Sequence, residues 1–445
     1  MSIVKPFHAL RYNSSKAGGA PGDWVCPPYD VIDGPMQEAL YARNPHNIVR
    51  VEFGKTSPDD KPGSDRYSRA AATFKDWIAA QVLARDAKDA FYLYEQTFDI
   101  ASGGASRSKV VTRRGIFGAL KLEPFGTGSV FPHEETFGGP KADRLALMQA
   151  CAANLSPVFG LFPDAEHTIA RLLSKGVTLK SPALELTEAS GVVNKLWVID
   201  DAVWIGEMSR ALAQKNCFIA DGHHRYETSC NYRNERREND GDPSGALDKA
   251  YNYTLMMCVP MSDPGLYILP THRLIQIAPG VSKAAFVAAS KPLFDFRDAT
   301  ESELLQLAEE ESGPVRIGVI YKDGSRAIMS VKPDAVSSAM KKAQPNKSAA
   351  WRALDVSVLQ ELVLKGALKL SEEKVLRKEG VSYTPDTRAA IDRVTAHEGA
   401  YEMGFILRPT LIGQVEEVAK GGEKMPQKST YFYPKLLTGM VFKEC

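Results

Sequence analysis

Paired cysteines are what this sequence most conspicuously lacks. Its six cysteines are scattered over 445 residues with no Cys-x-x-Cys pair, which argues against a disulfide scaffold or a structural zinc knuckle. An excess of either charge is missing as well. Lys and Arg total 55 against 54 Asp and Glu, a formal net charge of +1, so no global field draws the chain to nucleic acid or an anionic membrane. Any anion site must therefore be built locally. No apolar run approaches the length of about 18 residues that a membrane span needs, and the chain reaches Pro6 and His8 before a secretory apolar core could form, so a reduced, cytosolic protein without a membrane partner is expected. Gly-x-Ser-x-Gly, His-Glu-x-x-His and Walker A patterns are absent, and no Gly-x-Gly-x-x-Gly occurs in a convincing setting. Their absence weakens hydrolase, zincin, P-loop and Rossmann readings.

What is present describes a globular chain. With 44% apolar and 24% charged residues it can bury a core, and its length suggests two or three domains at about 150 residues each. Alternation and apolar runs predict strands near 2–12, 47–53, 90–100, 109–122, 157–162, 195–199, 216–220, 251–259 and 265–276. Helices are predicted at 35–43, at 66–83 with Tyr67, Ala70, Ala71, Phe74, Trp77 and Ile78 on one face, and at 141–154. Cys26-Pro27-Pro28-Tyr29-Asp30-Val31 reads as a rigid loop, because its prolines fix φ and hold their predecessors extended. From about 280 to 410, helices at 281–290, 300–311, 334–343, 354–366 and 386–396 alternate with strands at 315–321 and 326–331. This βαβ-like alternation suggests a second lobe, dividing the chain at 1–276 and 277–445.

The strongest chemical signal is Ile219-Ala220-Asp221-Gly222-His223-His224-Arg225. An apolar strand stops, Asp221 and Gly222 turn the chain, and a helix opens with basic residues in its first turn. Those residues oppose the helix dipole unless an anion neutralises them, so phosphate is the natural guest, with Arg225 able to bind it bidentately. The plainer alternative makes Asp221 an N-cap and the histidines part of a polar turn. A second concentration, His133-Glu134-Glu135-Thr136 followed by Lys141 and Arg144, holds the materials of acid/base work and phosphate contact, with Glu134 or Glu135 as base or Mg²⁺ ligand. The same residues could be solvated loop charges. Lys428-Ser429-Thr430 with Lys435, and His272-Arg273, are further cationic segments.

Taken in order, Pro6 to Arg11, Pro27 to Ile32, His133 to Thr136, Ala220 to Thr228, Pro270 to Arg273 and Met425 to Lys435 resemble the DUF1015 family over essentially the whole chain. More distantly, Gly222-His223-His224-Arg225 between strand and helix is similar to the Gly-Cys-His-Arg of sulfiredoxins and the Gly-Glu-Arg-Arg of ParB-type CTPases. That resemblance implies an α/β fold of α+β type, with a ParB/sulfiredoxin-like mixed-sheet core and a second α/β lobe. It also implies nucleotide phosphates at the helix N-terminus, and the superfamily includes a kinase of free serine. His223 stands where sulfiredoxins have their cysteine, so sulfinic repair is not implied.

Three functions follow as expectations. The first is phosphoryl transfer from ATP or ADP, with Mg²⁺, to or from a small hydroxylated metabolite such as serine, using Glu134, Glu135 and His133 for catalysis. Asp221, Gly222, His223, His224, Arg225, Lys141, Arg144, His272, Arg273, Lys428, Ser429 and Thr430 would then hold phosphate. The second is a nucleotide-binding regulatory switch without turnover. The third is a metal-dependent hydrolase using His133, Glu134, His272 and His223 or His224.

Overall fold

Along Phe91–Asp99, successive side chains point to opposite faces, and Phe91, Tyr92, Leu93 and Tyr94 are all fully buried. A strand with apolar residues on both faces must be covered on both. It sits near the middle of a nine-stranded mixed sheet ordered Val130–Phe131, Cys217–Asp221, Val158–Phe162, Tyr253–Pro260, Val110–Lys121, Phe91–Asp99, Val193–Ile199 and Leu184–Thr187, with Val4–Lys5 added beside Val110–Lys121. Cys217–Asp221 pairs parallel with Val130–Phe131, and Tyr253–Pro260 parallel with Val158–Phe162, while the other neighbours run antiparallel. The structure, a computed structural model, describes residues 3–105, 107–134, 138–213, 215–276, 282–377, 379–396 and 400–445.

Helices Thr168–Leu179 and Ala202–Leu212 cover one face, setting Ile169, Leu173, Trp204 and Met208 against Phe91, Leu93 and Ile116. The opposite face packs Tyr92, Tyr94, Phe117 and Phe159 against Val25 and the C-terminal Phe432 and Leu436. Helix Arg66–Ala79, capped by Asp65, buries Ala70, Phe74 and Trp77 as its spacing predicts. No described helix is long and apolar enough to cross a membrane.

A second, six-stranded sheet is ordered Phe294–Asp298, Arg326–Val331, Arg316–Tyr321, Met403–Ile406, His272–Ile275 and Val381–Thr384. All its described pairings are antiparallel, so the βαβ-like alternation is corrected here. Hairpins with helices laid across them produce the same order of elements as a parallel crossover. The chain then returns to pack against the first sheet, in small ladders of its own. Tyr431–Tyr433 pairs with Tyr267–Leu269, Lys443–Glu444 pairs with Ala153–Asn154, and single bridges join Cys26 to Thr438 and Leu10 to Phe442. The fold class is α/β, of α+β type.

Two other expectations are corrected. The alternating 47–53 segment forms a short helix, Val49–Glu52. Asn47, fully buried, donates to the carbonyls of Asp23 and Val25 and accepts from Val49 N, a local bonding pattern that competes with a strand. The strand predicted over 265–276 breaks at Pro270 into Tyr267–Leu269 and His272–Ile275, which belong to different sheets. Proline has no N–H to carry a ladder through that point.

Candidate functional site

Strand Cys217–Asp221 is buried along most of its length and slips register against Val158–Phe162 between Ile219 and Asp221. Such a bulge bends the strand and re-aims the residue after it. Gly222 follows in the left-handed region, φ +88°, at the N-cap position of helix His223–Asn239. The residue at the N-cap position, Gly222, has no side chain with which to cap this helix end. Asp221 is therefore no N-cap. Its carboxylate accepts from Arg225 Nη2 at 2.7 Å and from Lys435 Nζ at 2.8 Å. Burial alone would raise its pKa, but Lys435 and Arg225 outweigh burial and hold it well below the usual carboxylate range. Lys435 is raised in turn, since Asp221 and Asp30 overcome the cost of its own burial. A Cβ on Gly222 would lie 3.0 Å from the Arg225 guanidinium. Gly222→Ala is expected to cost about 1–2 kcal/mol, read from the shift in a urea midpoint at unchanged m-value.

Beneath the turn lie two buried histidines. His133 Nδ1–H donates to Ile219 O at 2.6 Å, and its Nε2 accepts from the Thr430 hydroxyl at 2.9 Å. The His133 backbone N–H donates to His223 Nε2 at 3.3 Å, and the two rings meet edge to face at 4.7 Å. Burial lowers the pKa of both imidazoles, and His133 lowers that of His223 further. The C-terminal segment closes over them. Met425 bridges to Glu134, and the Lys428 backbone N–H donates to the Glu134 carboxylate. His224 is half-buried, its pKa lowered by burial against the pull of Glu134 and Glu227. The turn at 221–225, the 133–134 segment and the 425–435 segment thus form one place.

Comparison with known families decides what kind of chain this is. The family described as a protein of unknown function (DUF1015) matches residues 4–357. The chain belongs to the DUF1015 family. A search of curated proteins returned no match. Among solved structures, this DUF1015 chain is similar to a free serine kinase in complex with AMP at 11% identity and TM-score 0.33, covering 71% of this chain and 86% of that one. A conserved hypothetical protein from Pyrococcus furiosus gives 13% identity and TM-score 0.33 over 72% and 93% of the two chains. C-terminally truncated SbnI from Staphylococcus aureus gives 9% identity and TM-score 0.34 over 73% and 86%.

Other residues expected at the DUF1015 site lie elsewhere or are already engaged. His272 is fully buried, with Nε2 beside the Thr387 hydroxyl at 2.9 Å and Nδ1 accepting from Leu407 N at 3.2 Å. Burial, assisted by Arg273, pushes its pKa down to about 3. Arg273 donates to the carbonyls of Gln427 and Lys428, bracing the closing segment from below. Arg144 is buried against Glu52 at 3.1 Å and lies 4.1 Å over the Tyr29 ring. Lys141 pairs with Glu227 at 2.9 Å. Ser429 is buried and donates to Pro426 O, while Thr430 serves His133. Glu135 lies outside the described residues. With His272 in the other sheet and both His133 nitrogens engaged, the metal-hydrolase constellation does not assemble. Among the described residues no group of three or more His, Cys, Asp or Glu could hold a metal ion.

The sequence reading passed over three features of this place. Asp30 is exposed on the Pro27-Pro28 loop and adds to the field on Lys435. Lys435 is, in the sequence, one cation among several. Arg113, fully buried, donates to the carbonyls of Tyr433 and Pro434 and to Gln96. It thereby fixes the backbone that presents Lys435. Arg113 and Arg114 are adjacent on the central strand Val110–Lys121, and adjacent strand residues cannot both face the same side. That pairing was the available signal.

Proposed function

We propose that this chain binds nucleotide phosphates at the N-terminus of helix His223–Asn239 and transfers a terminal phosphoryl group between ATP or ADP and a small hydroxylated metabolite, serine being one acceptor to test. The observation carrying this reading is a helix start with glycine at the N-cap and two cations beside it, Arg225 and Lys435, sharing one carboxylate, Asp221. Lys428 also contributes to the field on Asp221. A phosphate arriving there meets a helix dipole and three cations. Glu134 or Asp30 would be the carboxylate to hold a Mg²⁺ shared with the phosphates, where it would neutralise their charge.

In the forward direction the acceptor hydroxyl oxygen forms a bond to the terminal phosphorus. The bond from that phosphorus to the bridging oxygen breaks, and the nucleotide leaves one phosphate shorter. The hydroxyl proton passes to Glu134 or Asp30. Such chemistry is mainly positioning and charge stabilisation, which a fixed cationic turn provides. On this reading residues 1–276 form a ParB/sulfiredoxin-like phosphate-binding lobe and residues 277–445 a second lobe whose last segment completes the site.

Incubation with ATP, Mg²⁺ and a metabolite pool should yield a phosphorylated product. Arg225→Ala should weaken ATP binding about 10- to 100-fold, the equivalent of one charged hydrogen bond. Lys428→Gln, which disturbs no ion pair described above, should weaken it less. Unchanged ATP affinity in Arg225→Ala would sink the proposal. Nucleotide-dependent self-association in light scattering, without product, would mark a regulatory switch instead.

A further inference from the structure

A cavity of about 660 Å³ lies between the 20–43 segment and the 185–190 turn. Val25, Leu40, Leu186 and Leu437 line it, so much of its wall is apolar. Near neighbours along the chain connect it to the phosphate site. Cys26 and Pro27 at its edge run directly into Tyr29 and Asp30, and Leu437 lies two residues past Lys435, at most about 7 Å along the chain. Its size and apolar lining are those of a small-molecule pocket rather than an ion site.

Charged groups reaching the cavity are Asp23, Arg43, Glu185 and Glu188. Asp23 accepts from Ala20 N at 2.9 Å, Glu185 pairs with Lys195 at 3.3 Å, and Arg43 is exposed to water. Glu188 is different. It is half-buried, and its carboxylate accepts from the Asn194 amide at 2.8 Å, with no ion pair described for it. Asn194 is itself fully buried, its oxygen held by the Tyr94 hydroxyl at 2.5 Å and by Gln96 at 3.1 Å. The amide therefore presents its N–H to Glu188 in a fixed orientation. Burial raises the Glu188 pKa against this hydrogen bond. Buried carboxylates are ordinarily paired with a cation.

We propose that this cavity binds a small organic molecule with an apolar body and an ammonium group seated on Glu188. That the molecule is also the phosphoryl acceptor rests on the function proposed above. The amine class rests on the cavity alone.

Calorimetric titration of the full chain with phenethylamine and with phenylethyl alcohol, which has the same body without the charge, tests it. The amine should bind saturably and the alcohol at least about tenfold more weakly. Glu188→Gln keeps an acceptor for Asn194 and should lose the preference for the amine. Leu186→Trp, which fills the cavity, should lose both ligands, with thermal melts checking that each variant is folded. No saturable amine binding, or equal amine binding by wild type and Glu188→Gln, would overturn the proposal. ATP titrations on the same preparations separate the two readings. Amine binding without nucleotide affinity keeps the cavity and removes phosphoryl transfer, whereas nucleotide binding without amine binding does the reverse.

Discussion

Asp221→Asn is expected to cost about 3–5 kcal/mol of folding stability at neutral pH, as the loss of one partner leaves buried charges uncompensated. Surface ion pairs are worth at most about 1 kcal/mol, but this group is not at the surface. The side chains of Lys435 and Arg225 are only 15% and 11% exposed, and Asp221 is the carboxylate to which both donate. The sign of the pH dependence follows from the shifts. Because the folded-state pKa of Asp221 is depressed, its contribution is complete above the unfolded value of about 3.9 and is lost as pH falls toward the folded value. Lys435 is raised, so its share is complete below about 10.4 and is lost as pH rises through its folded value. Urea denaturation of wild type and variant should therefore show a wide, constant gap between those limits. Below about pH 4 the gap should narrow, because wild type weakens. A gap under about 1 kcal/mol at neutral pH would show that water screens the triad as it does a surface pair.

Much of the first sheet was legible because its strands are short, apolar and bounded by turn residues, as at Cys217–Asp221 and Val158–Phe162. What the sequence withheld was pairing. Nothing local distinguishes the antiparallel second sheet from a parallel one, because strand direction is settled by which edges meet across more than a hundred residues, as between His272–Ile275 and Met403–Ile406. Val49–Glu52 shows the same limit on a smaller scale, where buried Asn47 overrides an alternating pattern.

For the site, the turn at 221–225 could be read because a strand, a glycine and a helix start are all local features. Its convergence with 133–134 and 425–435 could only be guessed from shared chemistry. The roles inside it were less legible still. His133, expected among the catalytic residues, is buried with its ring between Ile219 O and the Thr430 hydroxyl. Lys435 looked like one cation in an aromatic stretch and is the second partner of Asp221. A titratable side chain at the right place in sequence does not reveal which way it faces.

Arg144 illustrates that point with a measurable consequence. It was expected to hold phosphate, yet it lies buried beside Glu52, which also accepts from Ser156 Oγ at 2.6 Å. Burial raises the Glu52 pKa, and Arg144 is the main opposing influence. Arg144→Met is therefore expected to cost about 3–5 kcal/mol at neutral pH, because it strands a buried carboxylate. The double variant Glu52→Gln/Arg144→Met should recover much of that loss, since Glu52 is then uncharged and Asp143, the other partner of Arg144 at 2.7 Å, keeps its pair with Arg66. Acid should also help the single variant. A carboxylate with a raised folded-state pKa loses stability as pH rises from about 4.3, so the deficit of Arg144→Met should shrink on acidification. With Asp221→Asn the gap closes because wild type weakens, but here it closes because the variant gains. If Arg144 instead held phosphate, the double variant would regain stability yet show ATP affinity about tenfold or more below wild type. Equal ATP affinity in wild type and the refolded double variant is the expected result, leaving the cationic work to Arg225, Lys428 and Lys435.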